Sequence, residues 1–192
     1  MPPKAKFSRE EIITVGFNIV KREGMEALTA RSLAEALGSS PRPIFTVFNN
    51  MEEVQSAVVC AAKSLYAEYI CKGLNEDLAF RGVGKAYIRF ASEQPKLFRL
   101  LFMSENKSVP DMNSVLGIID ESFEKILNSI ENEYGLEREI SKKLYLHLWI
   151  YSHGIAVLIA TKVCEFLPEE VTAMITEIFL SLLKRVKSEN GI

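Results

Sequence analysis

Residues 29 to 48 read TARSLAEALGSSPRPIFTVF, and this stretch decides how the rest of the chain is read. Thr29 suits a helix N-cap, Leu33, Ala34 and Leu37 follow at helical spacing, and Gly38 stops the run. Two residues on, Ser40 is placed to cap a further short helix with Pro41 at its first position, where the missing N–H costs nothing. Pro43 falls in the same first turn and removes another donor without a helical partner, so the cap must bond the Arg42 amide. Leu33, Leu37, Ile44 and Phe48 must then face one another across the turn, leaving Pro41, Arg42, Thr46 and Asn49 outside. Two short helices around a glycine turn make a helix-turn-helix, whose second helix can enter a DNA major groove; the same arrangement also serves as plain packing in helical bundles.

Working outward, Ser8 and Glu11 have capping-box spacing, and Phe7 and Ile12 stand where a hydrophobic staple fixes the path of the chain. Ile12, Ile13, Val15, Ile19 and Val20 form the inner stripe of that first helix, with Gly24 at its stop. After the turn, Asn50 begins a fourth helix, with Glu52 and Glu53 in the first turn favoured by the dipole. Its apolar stripe is Val54, Ala57, Val58, Ala61, Leu65 and Tyr69, and it is expected to run to about Cys71. Further helices are predicted near 75–93, 95–103, 110–134, 137–164 and 168–188, broken by Pro95, Pro110, Gly135 and Pro168. No run alternates as a strand does, so the expected fold is all-α, an N-terminal three-helix head followed by a C-terminal helical bundle.

The composition, 48% hydrophobic and 25% charged over 192 residues, is that of a globular chain able to bury a core. A net charge of −2 excludes a global pull toward nucleic acid or anionic membrane, so such a partner must be met by a local patch. The first 50 residues hold seven basic residues against five acidic ones, leaving −4 for the remainder, a basic head on an acidic body. Cys60, Cys71 and Cys164 form no CxxC pair, and two of them lie in apolar helical surroundings, which suits a reducing, cytoplasmic setting. The N-terminus carries Lys4 and Lys6 but no apolar signal core, and no export signal is read there. Leu144 to Thr161 is uncharged, but its Tyr, His, Ser and Gly residues favour a buried bundle helix over a membrane span.

The Thr29 to Gly38 run, then Ser40 to Phe48, then Glu52-Glu53-Val54, with the preceding helix at its proper distance, resembles the N-terminal signature of TetR-type transcriptional regulators, over roughly residues 8–58. In the C-terminal part, Gln94-Pro95-Lys96-Leu97-Phe98-Arg99-Leu100-Leu101-Phe102 and Trp149-Ile150-Tyr151-Ser152-His153-Gly154 are similar to segments of one subgroup of that family's effector-binding domains. The resemblance implies a homodimeric repressor on a palindromic site in double-stranded DNA, released when a small molecule changes the spacing of its heads. It implies residues 1–50 as the DNA-binding head with a basic arm, 51–72 as a connecting helix, and 73–192 as the effector-binding and dimerisation domain.

Carried over by position, Arg42 and Thr46 face base edges, Thr29, Arg31 and Ser40 lie near phosphates, and Pro41, Phe45 and Val47 complete the DNA-facing surface. Arg pairs guanine at two points, and helix N-termini bind phosphate oxygens. Lys4, Lys6 and Arg9 add phosphate or minor-groove contacts from an arm. The chain departs from the family where Phe45 replaces a usual tyrosine, Val47 a common histidine and Met51 a lysine. None of the three can bond a phosphate, which predicts weaker nonspecific affinity and more weight on Arg42 and the lysines.

An effector pocket needs mostly apolar walls with a few polar groups. Candidates by periodicity are Tyr66, Tyr69, Phe98, Phe102, Met103, Trp149, His153 and Val157, any of which can instead be plain core. The lack of charge among them points to an apolar or aromatic effector. Dimerisation is expected through the last two helices, along Leu144, Leu148, Ile155, Ile159 and Val163, then Val171, Ile175, Ile178, Phe179, Leu182 and Val186.

Catalysis is disfavoured. His147 and His153 lie six apart instead of the four that places two ligands on one helical face, no ExxH pair supports a di-iron bundle, and no phosphate loop or nucleophile elbow occurs. No cofactor, metal or membrane partner is expected. The rival reading is a helical adaptor whose less polar head, through Phe45, Val47 and Met51, binds protein instead of DNA.

Overall fold

A computed structural model describes residues 6–104, 111, 114–119 and 121–191, and all regular elements among them are helical. They are α1 (Arg9–Glu23), α2 (Ala30–Ala36), α3 (Met51–Leu74), α4 (Ala79–Glu93), α5 (Pro95–Phe102), α6 (Val115–Ile119), α7 (Phe123–Tyr134), α8 (Arg138–Ala160) and α9 (Pro168–Asn190), with 3-10 turns at Met25–Ala27 and Ile44–Thr46. The chain divides into two compact units. One gathers the chain up to Leu65 with Lys96–Ser104; the other gathers Tyr66–Pro95 with the residues beyond Ser104.

In the first unit, local signals place the helices. The Glu11 amide donates to Ser8 Oγ at 3.1 Å while the Ser8 amide donates to Glu11 Oε2 at 2.7 Å, closing the capping box that starts α1. α1 buries Ile12, Gly16, Ile19 and Val20. Gly16 is small for a packing reason, since a Cβ there would lie 3.1 Å from Val58 Cγ2. Thr29 caps α2, accepting from the Ser32 amide at 3.1 Å. Asn50 Oδ1 accepts from the Glu53 amide at 2.9 Å and so caps α3. Leu33, Ile44 and Phe48 are buried, while Pro41, Arg42, Thr46 and Asn49 are exposed.

The helix expected from Ser40 does not form. Residues 40–43 are loop and turn, and the backbone then closes i→i−3 bonds, Ile44 N–H to the Pro41 carbonyl at 3.0 Å and Thr46 N–H to the Pro43 carbonyl at 3.3 Å. Two prolines explain this: each lacks a donor and disfavours the α conformation of the residue before it, so Ser40 and Arg42 both resist entering a helix. Thr46 Oγ1 also donates to the Pro43 carbonyl at 2.6 Å, a local side-chain bond that suits a tight turn.

In the second unit α4 packs on α7 and α8, and α8 on α7 and α9. α3 ends here at Leu74, past its expected stop, and Gly73 lies at a close crossing: a Cβ there would come within 2.6 Å of the Gly82 carbonyl oxygen. The buried register of α3 is Val54, Val58, Ala62, Tyr66 and Ile70, so Ala57, Ala61, Leu65 and Tyr69 are only half-buried. Cys60 and Cys71 are exposed, on the outer side of that helix, and Cys164 is exposed too.

Instead of one helix over 110–134 the described residues hold α6 and α7, separated by a turn at Glu121 and Ser122, while residues 110, 112, 113 and 120 lie outside the described set. Ser114, Gly117 and Ser122 are weak helix formers in that stretch. α8 stops at Ala160, short of the predicted 164. Lys162 adopts φ 58°, its amide donates to the Ile159 carbonyl at 3.0 Å, and the Val163 amide donates to the Leu158 carbonyl at 3.0 Å. That is a Schellman cap formed without glycine. No helix among the described residues is long and apolar enough to cross a membrane, and the uncharged stretch lies mostly within α8.

Candidate functional site

Two surfaces hold the residues singled out above. On the first unit, Ser40, Pro41, Arg42, Phe45 and Thr46 are exposed on the loop and 3-10 turn, with Phe45 43% exposed, and Val47 is half-buried beside them. Arg31 is exposed on α2, and neither it nor Arg42 has an ion pair or side-chain hydrogen bond among the described residues. Thr29 is exposed, but its hydroxyl is engaged in the α2 cap, donating to Ser32 Oγ at 3.1 Å. The Lys6 ammonium donates to Ser39 Oγ at 3.0 Å and lies 5.1 Å from the centre of the Phe7 ring. Lys4 lies outside the described residues.

Arg9 is not part of an arm. It belongs to the first turn of α1, pairs with Glu53 at 2.8 Å and lies 4.2 Å over the Phe48 ring. Glu53 also accepts from the Asn49 amide at 2.8 Å and the Asn49 side chain at 2.9 Å. These bonds, the Asn49 amide first and then Arg9, hold its carboxyl below the usual range. The knot ties the starts of α1 and α3 around Phe48 and fixes where the 3-10 turn presents Arg42.

On the second unit a cavity of about 260 Å³ is walled by several helices. α4 contributes Phe80, Arg81, Val83, Gly84 and Tyr87, and α8 contributes Tyr145, Leu148, Trp149 and Ser152. α9 adds Ile175, Thr176, Phe179 and Leu180, with Tyr66 from α3, Tyr134 from α7 and Leu78 before α4. Aromatic edges set the wall: Phe80 meets Tyr145 at 5.8 Å and 90°, and Tyr134 meets Phe179 at 5.0 Å and 61°. Burial, then the neighbouring Glu133 carboxylate, push the Tyr134 hydroxyl up to about 12, so it stays protonated at neutral pH. Glu133 Oε1 itself accepts from the Phe80 amide at 3.2 Å.

Of the residues expected around an effector, this cavity takes Tyr66 and Trp149. His153 stands behind the wall, stacked on Trp149 at 5.1 Å and sharing a 2.8 Å hydrogen bond through Nδ1 with the Tyr87 hydroxyl. Burial pushes its pKa down, favouring the neutral ring. Val157 is half-buried on α8 and does not line the cavity. Tyr69 donates to Glu93 at 2.5 Å and accepts from Gln94 at 3.4 Å in a separate polar cluster. Phe98, fully buried against Phe102 at 5.1 Å, and Met103, 43% exposed, belong to the first unit.

The missed wall follows a readable pattern, positions 80, 83, 84 and 87 on α4 and 145, 148, 149 and 152 on α8, each one helical face at i, i+3, i+4, i+7. The stripe expected at the dimer seam is partly inside the protomer: Leu144, Leu148 and Ile155 are buried, whereas Ile150, Leu158 and Leu180 are the exposed large apolar side chains within α8 and α9. Among the described residues no cluster of three or more His, Cys, Asp or Glu could hold a metal.

The family model described as "Tetracyclin repressor-like, C-terminal domain" matches residues 80–182, more than half of the chain and most of the cavity wall. No curated relative matches the sequence.

Proposed function

This chain belongs to the tetracycline repressor-like family of transcriptional regulators, and we propose that it is a homodimeric repressor released from a palindromic operator by a small, mostly apolar effector. The observation that carries this reading is the aromatic cavity formed by α4, α8 and α9 inside the matched segment. In this reading residues 1–50 are the DNA-binding head, 51–72 the connecting helix, and 73–192 the effector and dimerisation part.

Arg42 reads a base edge, helped by the Thr46 and Val47 methyl groups and the exposed face of Phe45 beside Pro41. Arg31, Ser40, Thr29, Lys4 and Lys6 contact phosphates. With no phosphate-bonding side chain at 45, 47 or 51, affinity leans on few charges and falls steeply with salt only in proportion to them. Dimerisation uses the outward apolar side chains of α8 and α9, Ile150, Leu158 and Leu180.

The test is a genome-fragment binding selection with the purified protein, followed by titration of the enriched duplex at two salt concentrations. The expected outcome is a palindromic site bound by the wild type and lost by Arg42→Ala. No enrichment even at low salt, with capture of a protein through the head, would favour the adaptor instead.

A further inference from the structure

Among the described residues the cavity wall holds one charge, and that charge has no ion-pair partner there. Arg81 is the only charged side chain among the described residues that line it. Its guanidinium makes no ion pair or side-chain hydrogen bond among the described residues. Of the nearby acids, Glu76 pairs with Lys85 at 3.3 Å, while Glu133 accepts from the Phe80 amide through Oε1 at 3.2 Å and keeps a buried Oε2 without a hydrogen bond among the described residues. Arg81 is exposed at the rim, so its stem lines the cavity while its head stays wet. A ligand that covers the rim must strip water from this head, which is costly unless the ligand brings an acceptor.

The remaining wall states the rest of the ligand. At about 260 Å³ the cavity has room for a small organic molecule and not merely for a single water. Phe80, Tyr145, Trp149 and Phe179 supply flat apolar surface for an aromatic ring. Tyr134, on the same wall, keeps its proton because of burial and the neighbouring Glu133 carboxylate, with the Arg81 charge acting the other way.

Building on the effector reading above, we infer that the cavity takes a small aromatic carboxylate, its ring among Phe80, Trp149 and Phe179 and its carboxylate on the Arg81 fork. Arg presents two parallel donors that match a carboxylate, and the apolar walls lower the local dielectric and strengthen the pair.

Trp149 is the chain's single tryptophan, so its fluorescence reports cavity occupancy directly. Three probes of nearly one shape are titrated into the full chain: 3-phenylpropionate, its uncharged amide 3-phenylpropanamide, and 3-phenylpropylamine. The expected result is saturable binding of the acid, with the amide at least ~10-fold weaker and the amine weaker still. Arg81→Gln raises the Kd of the acid by ~10-fold or more and leaves that of the amide within about twofold. Equal binding of acid and amide, preferred binding of the amine, no binding of any probe, or an acid Kd untouched in Arg81→Gln overturns the inference.

A second variant separates this failure from failure of the effector reading. Gly84 lines the cavity and a Cβ there meets nothing within 4 Å, so Gly84→Leu fills the space without a backbone clash. If a metabolite extract releases wild type from its operator but not Gly84→Leu, while the acid does not bind, the carboxylate inference falls and the effector reading stands. If Gly84→Leu responds to extract as wild type does, the effector reading falls with it.

Discussion

Between residues 40 and 47 the solvent-facing side chains come from consecutive positions on one loop and 3-10 turn, whereas the cavity draws its wall from five helices between Tyr66 and Leu180. The first surface is a short exposed turn whose own backbone bonds close within three positions, Ile44 to Pro41 and Thr46 to Pro43. The second is concave, and its walls meet only when separate helices are brought together, Tyr66 of α3 and Phe80 of α4 with Trp149 of α8 and Phe179 of α9. The exposed turn therefore tolerates change one residue at a time, while the cavity depends on where helices cross.

That contrast breaks most severely at a helix crossing. Gly82→Val puts a side chain into the Gly73 backbone, and urea unfolding is expected to show a loss of about 3 kcal/mol together with loss of probe-sensitive Trp149 fluorescence. A loss under ~1 kcal/mol would mean that the crossing yields easily and that the cavity is not set by it.

Arg42→Ala tests the exposed turn alone. Operator affinity is expected to fall by about 1–3 kcal/mol, roughly five- to 150-fold, with urea stability unchanged because Arg42 is exposed and has no side-chain bond among the described residues. A fall in stability instead of affinity would move Arg42 from reading to packing.

Thr29→Ala sharpens the boundary between the two behaviours. It removes the α2 cap and costs about 1 kcal/mol in unfolding, and operator binding weakens only to the extent that the head frays. If affinity drops further than stability, the hydroxyl contacts DNA as well.

The smallest effect lies behind the cavity wall. Burial lowers the folded-state pKa of His153 below 6.5, so as pH falls the unfolded chain takes up this proton first. Its contribution to stability is complete above 6.5 and is lost as pH falls through the lowered folded value. His153→Gln is expected to flatten that limb of the stability profile, measured by thermal unfolding between about pH 7.5 and 5. An unchanged profile would show that the ring is solvated in solution.

The sequence was most informative where one turn of chain supplies both partners of an interaction. Ser8 with Glu11, Thr29 with Ser32, and Asn50 with Glu53 all close within three residues, so the starts of α1, α2 and α3 could be read from spacing. The prolines at 41 and 43 are equally visible, but each taken singly is compatible with the first turn of a short helix, and only their joint effect gives the 3-10 turn. In α3 the apolar residues Ala57, Val58, Ala61, Ala62, Leu65 and Tyr66 support two neighbouring registers, and the sequence could not choose between them. The observed register turns Tyr66 into the cavity and Tyr69 toward Glu93.

The helical class, the caps and the inward placement of Ile44 and Phe48 were thus determined by the sequence itself, because periodicity and capping act over distances of one helical turn. The phase of α3, the Gly73 and Gly82 crossing, and the meeting of Phe80, Arg81, Trp149 and Phe179 on one cavity wall were decided only by the tertiary structure. A helix face carries no mark of which other face it will meet; that is settled by close packing of whole helices, where one added methyl group shifts the crossing.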